Sequence, residues 1–116
     1  MAFQAYVSLT EERVISQLLR SRVKMDRLIE DGSISSELLD TYVDLDRLIS
    51  GTKLSVEETF TLRRVMEGYT FWDMEMVFGK SHKTYEGIFK RVCRKLKETN
   101  DRHWRKKKKF YAKGSI

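Results

Sequence analysis

Proline is absent from this chain, and cysteine occurs once, at Cys93. Without proline, no residue locks φ or removes a backbone donor in a helix interior. A single cysteine excludes an intrachain disulfide and a cage of several thiolates around a metal. Histidine occurs twice, at His82 and His103, and no glycine-rich phosphate loop is present. Neither a catalytic triad nor a metal quartet can be assembled from this inventory. No apolar run approaches the roughly 20 residues that a membrane-spanning helix needs. The opening MAFQAYVSLTEER has neither a basic leader nor an apolar core segment. These absences predict a non-enzymatic, cytoplasmic chain with no cofactor, no metal and no membrane contact.

What the chain has is charge, unevenly placed. The formal net charge is +6 over 116 residues. Residues 1–50 carry six Lys/Arg against nine Asp/Glu, whereas residues 80–116 carry fourteen against three, or +11. A field so lopsided implies a polyanionic partner or an exposed basic tail.

Apolar residues recur at helical spacing, which predicts an all-α chain. SLTEERVISQLLRSRVKMDRLIED reads as one long helix, with Ser8 and Glu11 as its capping box and an apolar stripe from Val14 to Ile29. DGSIS ends it. SSELLDTYVDLDRLIS is the second helix, stopped by Gly51, so residues 1–52 read as a helical hairpin for oligomerisation or partner binding. Leu18, Leu28, Leu39 and Leu45 are expected to bury against each other or against a second copy, as in a homodimer. Asp40, Asp44 and Asp46 lie on different parts of the helix circumference and read as a solvated face, not a metal cluster.

Residues 53–99 read as a second unit. Ser55 and Glu58 form a capping box, and Gly68 is placed to end that helix in a left-handed conformation. TFWDMEMV is a short helix capped by Thr70 and Asp73. After Phe78 and Gly79, Ser81 caps a fifth helix that runs through Leu96 to about Thr99. Tyr85, Ile88, Phe89, Val92, Cys93 and Leu96 share its inward side. This layout is that of a helix-turn-helix, whose second helix leaves one side free for a major groove. His82, Lys83, Glu86 and Lys90 are the candidates for base edges, since Lys donates to guanine and Glu accepts from cytosine N4. Ser81, Arg91, Arg94, Lys95 and Lys97 are the candidates for phosphates. A lysine-rich solvated surface would carry the same charge run, but not the capped short helix and glycine-serine turn ahead of it.

Residues 54–97 also resemble region 4 of bacterial sigma factors and the related small phage and bacterial regulators. Leu54 and Ser55 match the opening of that pattern, and Gly68, Tyr69 and Thr70 its middle. Phe78, Gly79 and Ser81 match its turn, Thr84 and Tyr85 the start of the recognition helix, and Arg91, Lys95 and Leu96 its close. Glu75 departs from the pattern, standing where a small residue usually sits at the helix crossing. A buried carboxylate there would need a partner, for which Arg91 or Arg64 is expected, and replacement by alanine is expected to be harmless. Lys80 is a second departure. Nothing resembles the polymerase-binding region 2 of a complete sigma factor.

The resemblance implies a phage or prophage transcription regulator that binds double-stranded DNA, with RNA polymerase as a possible second partner. The rival readings are the DNA-recognition subunit of a packaging terminase, or a factor that binds RNA or RNA polymerase. Residues 100–116 read as a flexible basic tail. Arg102, Arg105, Lys106, Lys107, Lys108 and Lys109 are its phosphate contacts, interleaved with Trp104, Phe110 and Tyr111.

Overall fold

A computed structural model describes the backbone of residues 9–114 and the side chains of residues 9–103. Among the described residues the fold is all-α, with six helices: α1 Glu12–Arg20, α2 Arg22–Glu30, α3 Ser36–Ser50, α4 Val56–Met66, α5 Phe71–Phe78 and α6 His82–Gly114. No described helix is long and apolar enough to cross a membrane.

α6 is the axis on which α1, α3, α4 and α5 pack. Tyr85, Ile88, Phe89, Val92, Cys93 and Leu96 are all buried, the inward side that the sequence spacing predicts. Against them lie Val14, Ile15, Leu18 and Leu19 of α1, Leu62 and Val65 of α4, and Met74 of α5. Tyr42 and Leu45 of α3 join the same cluster. The front helices therefore share one core with the rest, α1 packing on α6 and α4 and α3 on α6. Leu39, expected inside, is exposed, and Leu28 is only half-buried.

Two predicted boundaries move. The long first helix divides at Ser21, whose backbone (φ −94°, ψ 6°) closes α1 and opens α2. Arg22 then turns to Asp46 of α3 with bonds of 2.7 and 3.2 Å, and holds Asp26 at 3.0 Å. Its guanidinium lies over the Tyr42 ring. Beyond the division, α2 itself buries nothing fully. Ser8 lies outside the described residues, and α1 begins at Glu12 with no side-chain cap from Glu11. At the other end, the helix expected to close near Thr99 continues to Gly114. No glycine or proline stands between Gly87 and Gly114 to stop it. Its last turns are rich in lysine, a good helix former whose charge suits the negative end of the helix dipole. The tail is thus helical in its backbone. The side chains of Trp104, Arg105, Lys106, Lys107, Lys108, Lys109, Phe110 and Tyr111 lie outside those described.

Tyr42 joins α3 to α1 by donating its hydroxyl to the Leu18 carbonyl at 2.9 Å, and burial pushes its pKa up to about 12. Tyr42→Phe keeps the ring and removes the donor, leaving a buried carbonyl unpaired. The expected loss is about 1–3 kcal/mol in chemical denaturation; no change would mean water replaces the hydroxyl.

Candidate nucleic-acid interface

α4 starts on a complete capping box: Ser55 accepts from the Glu58 backbone and Glu58 accepts from that of Ser55. It ends at Gly68, whose positive φ of 100° lets Tyr69 N–H reach back to the Arg64 carbonyl at 3.1 Å. α5 follows at once, with Thr70 and Asp73 forming a second capping box. It stops on Gly79, left-handed at φ 99°, and three residues later α6 begins. Both caps and both glycines stand where the sequence places them.

The amino terminus of α6 is held by two residues. Ser81 accepts from Thr84 N–H at 3.2 Å, the expected cap. Glu75 reaches across the turn and accepts the His82 N–H at 2.9 Å and meets His82 Nδ1 at 3.1 Å. These bonds from His82, backbone first and ring second, hold the Glu75 carboxyl below its ordinary pKa range. Glu75 thus pairs with neither Arg91 nor Arg64, the partners expected for it. It is a helix-terminal acceptor, half-buried at the crossing, and the free N–H of a helix start is what satisfies it. The His82 ring is stacked on Trp72, centroids 3.6 Å apart and planes 19° apart. His82, expected at a base edge, is thus held through its ring Nδ1 and its backbone N–H and stacked on Trp72.

The other candidates divide by partner. Arg91 and Lys95, one turn apart on α6, both bind Glu58, at 3.1 and 2.7 Å. Arg91 also faces Glu57 at 3.7 Å, and Glu57 holds Lys80 at 2.8 Å. Lys97 pairs with Asp101 at 2.8 Å. Lys90, exposed, makes a loose 3.4 Å pair with the half-buried Glu86. Among the described residues Lys83 and Arg94 have no ionic partner, and both are exposed. Lys83, Gly87, Lys90 and Arg94 recur at four, three and four, so they form one stripe opposite the buried side of α6. At 1.5 Å per residue the stripe is about 17 Å long. A Cβ at Gly87 would meet nothing within 4 Å.

Glu58 is the residue that sequence reasoning understated. Its side chain is 2% exposed. Burial alone would raise its pKa, but the Lys95 and Ser55 hydrogen bonds outweigh it and hold the value at about 2. The available signal was two cations at i and i+4 on α6 facing a helix start, hidden because Glu58 already had a role in the capping box. Trp72, 61% exposed, is the other residue missed. Cys93 is buried, and burial pushes its thiol up to about 12, a packing residue in a protonated state. Among the described residues no three His, Cys, Asp or Glu side chains gather as a metal site.

Two consequences can be measured. Glu58 has a folded-state pKa depressed from 4.5, so its contribution is complete above about pH 4.5 and drains as pH falls toward 2. Glu58→Gln should lower stability at pH 7 by about 2–4 kcal/mol, less than a fully dry pair because both cations can reach water. It should also flatten the acid limb of the stability curve; an acid limb parallel to wild type would assign that limb to other carboxylates. Glu75→Ala, expected from sequence to be harmless, should instead lose about 1 kcal/mol by removing a helix-terminal acceptor. Unchanged denaturation would mean solvent caps α6 equally well. Compared with known proteins, the chain matches no family model, no curated protein and no solved structure.

Proposed function

We propose that this chain binds duplex DNA, with α5 and α6 acting as a helix-turn-helix and the first half of α6 lying in the major groove. The role is that of a non-catalytic transcription regulator. One observation carries the reading: most basic side chains near the start of α6 are tied to a carboxylate, while in the outward stripe Lys83 and Arg94 have no ionic partner among the described residues. Arg91 and Lys95, expected on phosphates, are tied to Glu58 instead. The stripe is left for an external anion.

Gly87 supports the same reading. A glycine in a helix interior costs about 1 kcal/mol relative to alanine, and here no packing inside the protein requires it. A helix without a side chain in the middle of its basic stripe can sit closer to whatever the stripe meets. Lys83, nearest the helix start, is placed for a guanine edge, with Lys90 and Glu86 released from their weak mutual pair to reach neighbouring bases. Arg94, further along, suits a phosphate on the groove wall. The seven Lys/Arg from Arg102 to Lys113 extend the positive field along the same helix.

Selection of duplexes from a random pool gives the operator for the test. Gly87→Ala should raise stability by about 0.5–1 kcal/mol while weakening binding to that operator. Lys83→Ala should lose about 1–3 kcal/mol on the operator and relax preference at one or two base pairs. Arg94→Ala should weaken operator and random DNA alike and reduce the slope of log K against log salt by about 0.9. Affinities and slopes indifferent to all three changes would remove α6 from the interface.

A further inference from the structure

The outer side of α5 carries large apolar side chains beside the exposed Asp73. Trp72 and Met76, one turn apart, are 61% and 85% exposed, and Val77 beside them is 62% exposed. In a chain with 34% charged residues, an indole and a thioether occupy the positions where lysine or glutamate would be ordinary. The Trp72 ring rests on the His82 imidazole at 3.6 Å with the planes 19° apart. One indole face is therefore covered and the other is left to solvent. The imidazole cannot turn away easily, because Glu75 holds both its Nδ1 and its backbone N–H. The result is a fixed, flat, two-ring shelf.

Lys83, the next residue after His82, is exposed, has no ionic partner among the described residues and begins the basic stripe. A ligand suited to both features presents a planar heteroaromatic ring next to a phosphate. Nearby carboxylates do not forbid it: Asp73 accepts the Thr70 N–H at 3.0 Å and Glu75 the His82 N–H at 2.9 Å. Each sits at the positive end of a helix, which offsets its charge. A paired duplex, however, hides its ring faces within the stack. We infer that Trp72, backed by His82, is a stacking platform for an unpaired nucleobase adjoining the duplex held by α6. The preferred ligand is then DNA with a short single-stranded or unstacked element beside double-stranded DNA. Met76 borders the platform with a polarizable side chain able to lie against the base edge. This inference rests on the DNA reading above and narrows the kind of DNA.

The test uses the full chain with Trp104→Phe, so that Trp72 is the sole tryptophan. Three probes share one 20-base-pair duplex: blunt, with a three-nucleotide overhang, and with the same overhang made abasic. Stacking on an aromatic side chain is worth roughly 5- to 150-fold in affinity. The overhang should bind about ten-fold more tightly than either control and quench Trp72 emission, with no quenching from the abasic probe. Trp72→Phe should keep most of the preference, and Trp72→Ala should abolish it while leaving blunt-duplex affinity and its salt slope intact. The quenching needs no Trp72 variant, so it decides the matter even if Trp72→Ala fails to fold. Equal affinity for all three probes with salt-dependent binding would overturn the platform and leave the duplex reading standing. Binding of none of them would overturn both.

Discussion

A buried carboxylate shared by two helices sets the geometry of this protein. Glu58 completes the amino-terminal cap of α4 with one oxygen and, in the same buried position, accepts from Lys95 and Arg91 of α6. A buried ion pair of this kind often stabilises no better than apolar packing. What it adds here is direction. Two cations one turn apart can both meet a single carboxylate in only one rotation of α6 about its axis. That rotation fixes which side of α6 faces α4 and, by exclusion, which side faces solvent. It also gives Arg91 and Lys95 an internal partner while both side chains stay partly exposed. α5 is joined to α4 through the tight turn at Gly68 and packs on α6, so its placement follows from the same anchor.

Much of this was readable because it is local. Capping boxes at Ser55 and Thr70, the left-handed glycines at 68 and 79, and the inward side of α6 each depend on residues three or four positions apart. Sequence patterns report such spacings directly. The misreadings share the opposite character. Glu75 is satisfied by an N–H seven residues on, across a turn, and no periodic template describes that reach. Ser21 divides α1 from α2 where the apolar spacing runs on unbroken, and Arg22 just beyond it pairs with Asp46 twenty-four residues away. The continuation of α6 was missed for another reason. Residues 100–114 lack an apolar period, which leaves no helical signal in the pattern, although a helix needs only residues that do not break it. Of the candidate site, the outward stripe was legible and its membership was not. Counting basic residues cannot tell Lys83 from Lys95; the difference is the carboxylate each one finds.

The net charge of the whole chain is likewise a poor guide to its surface. Six acids and no base occupy residues 30–46, and Asp46 is bound to Arg22. On α6, Arg91, Lys95 and Lys97 are neutralised by internal partners. The positive field near the turn is therefore carried by few side chains, each of which matters more than a share of +6 suggests.

α6 is one uninterrupted rod of 33 residues, about 50 Å long. It is gripped along its first half by α1, α4 and α5, and tied near Asn100 to the Leu9 carbonyl at 3.2 Å. Everything distal to that tie inherits its azimuth from the bundle. An insertion of a single residue between 101 and 104 would rotate the distal segment by 100° and advance it by 1.5 Å, leaving the fold behind it untouched. Four residues would restore the phase to within 40° and displace it by about 6 Å. Length changes in this rod are thus changes of bearing.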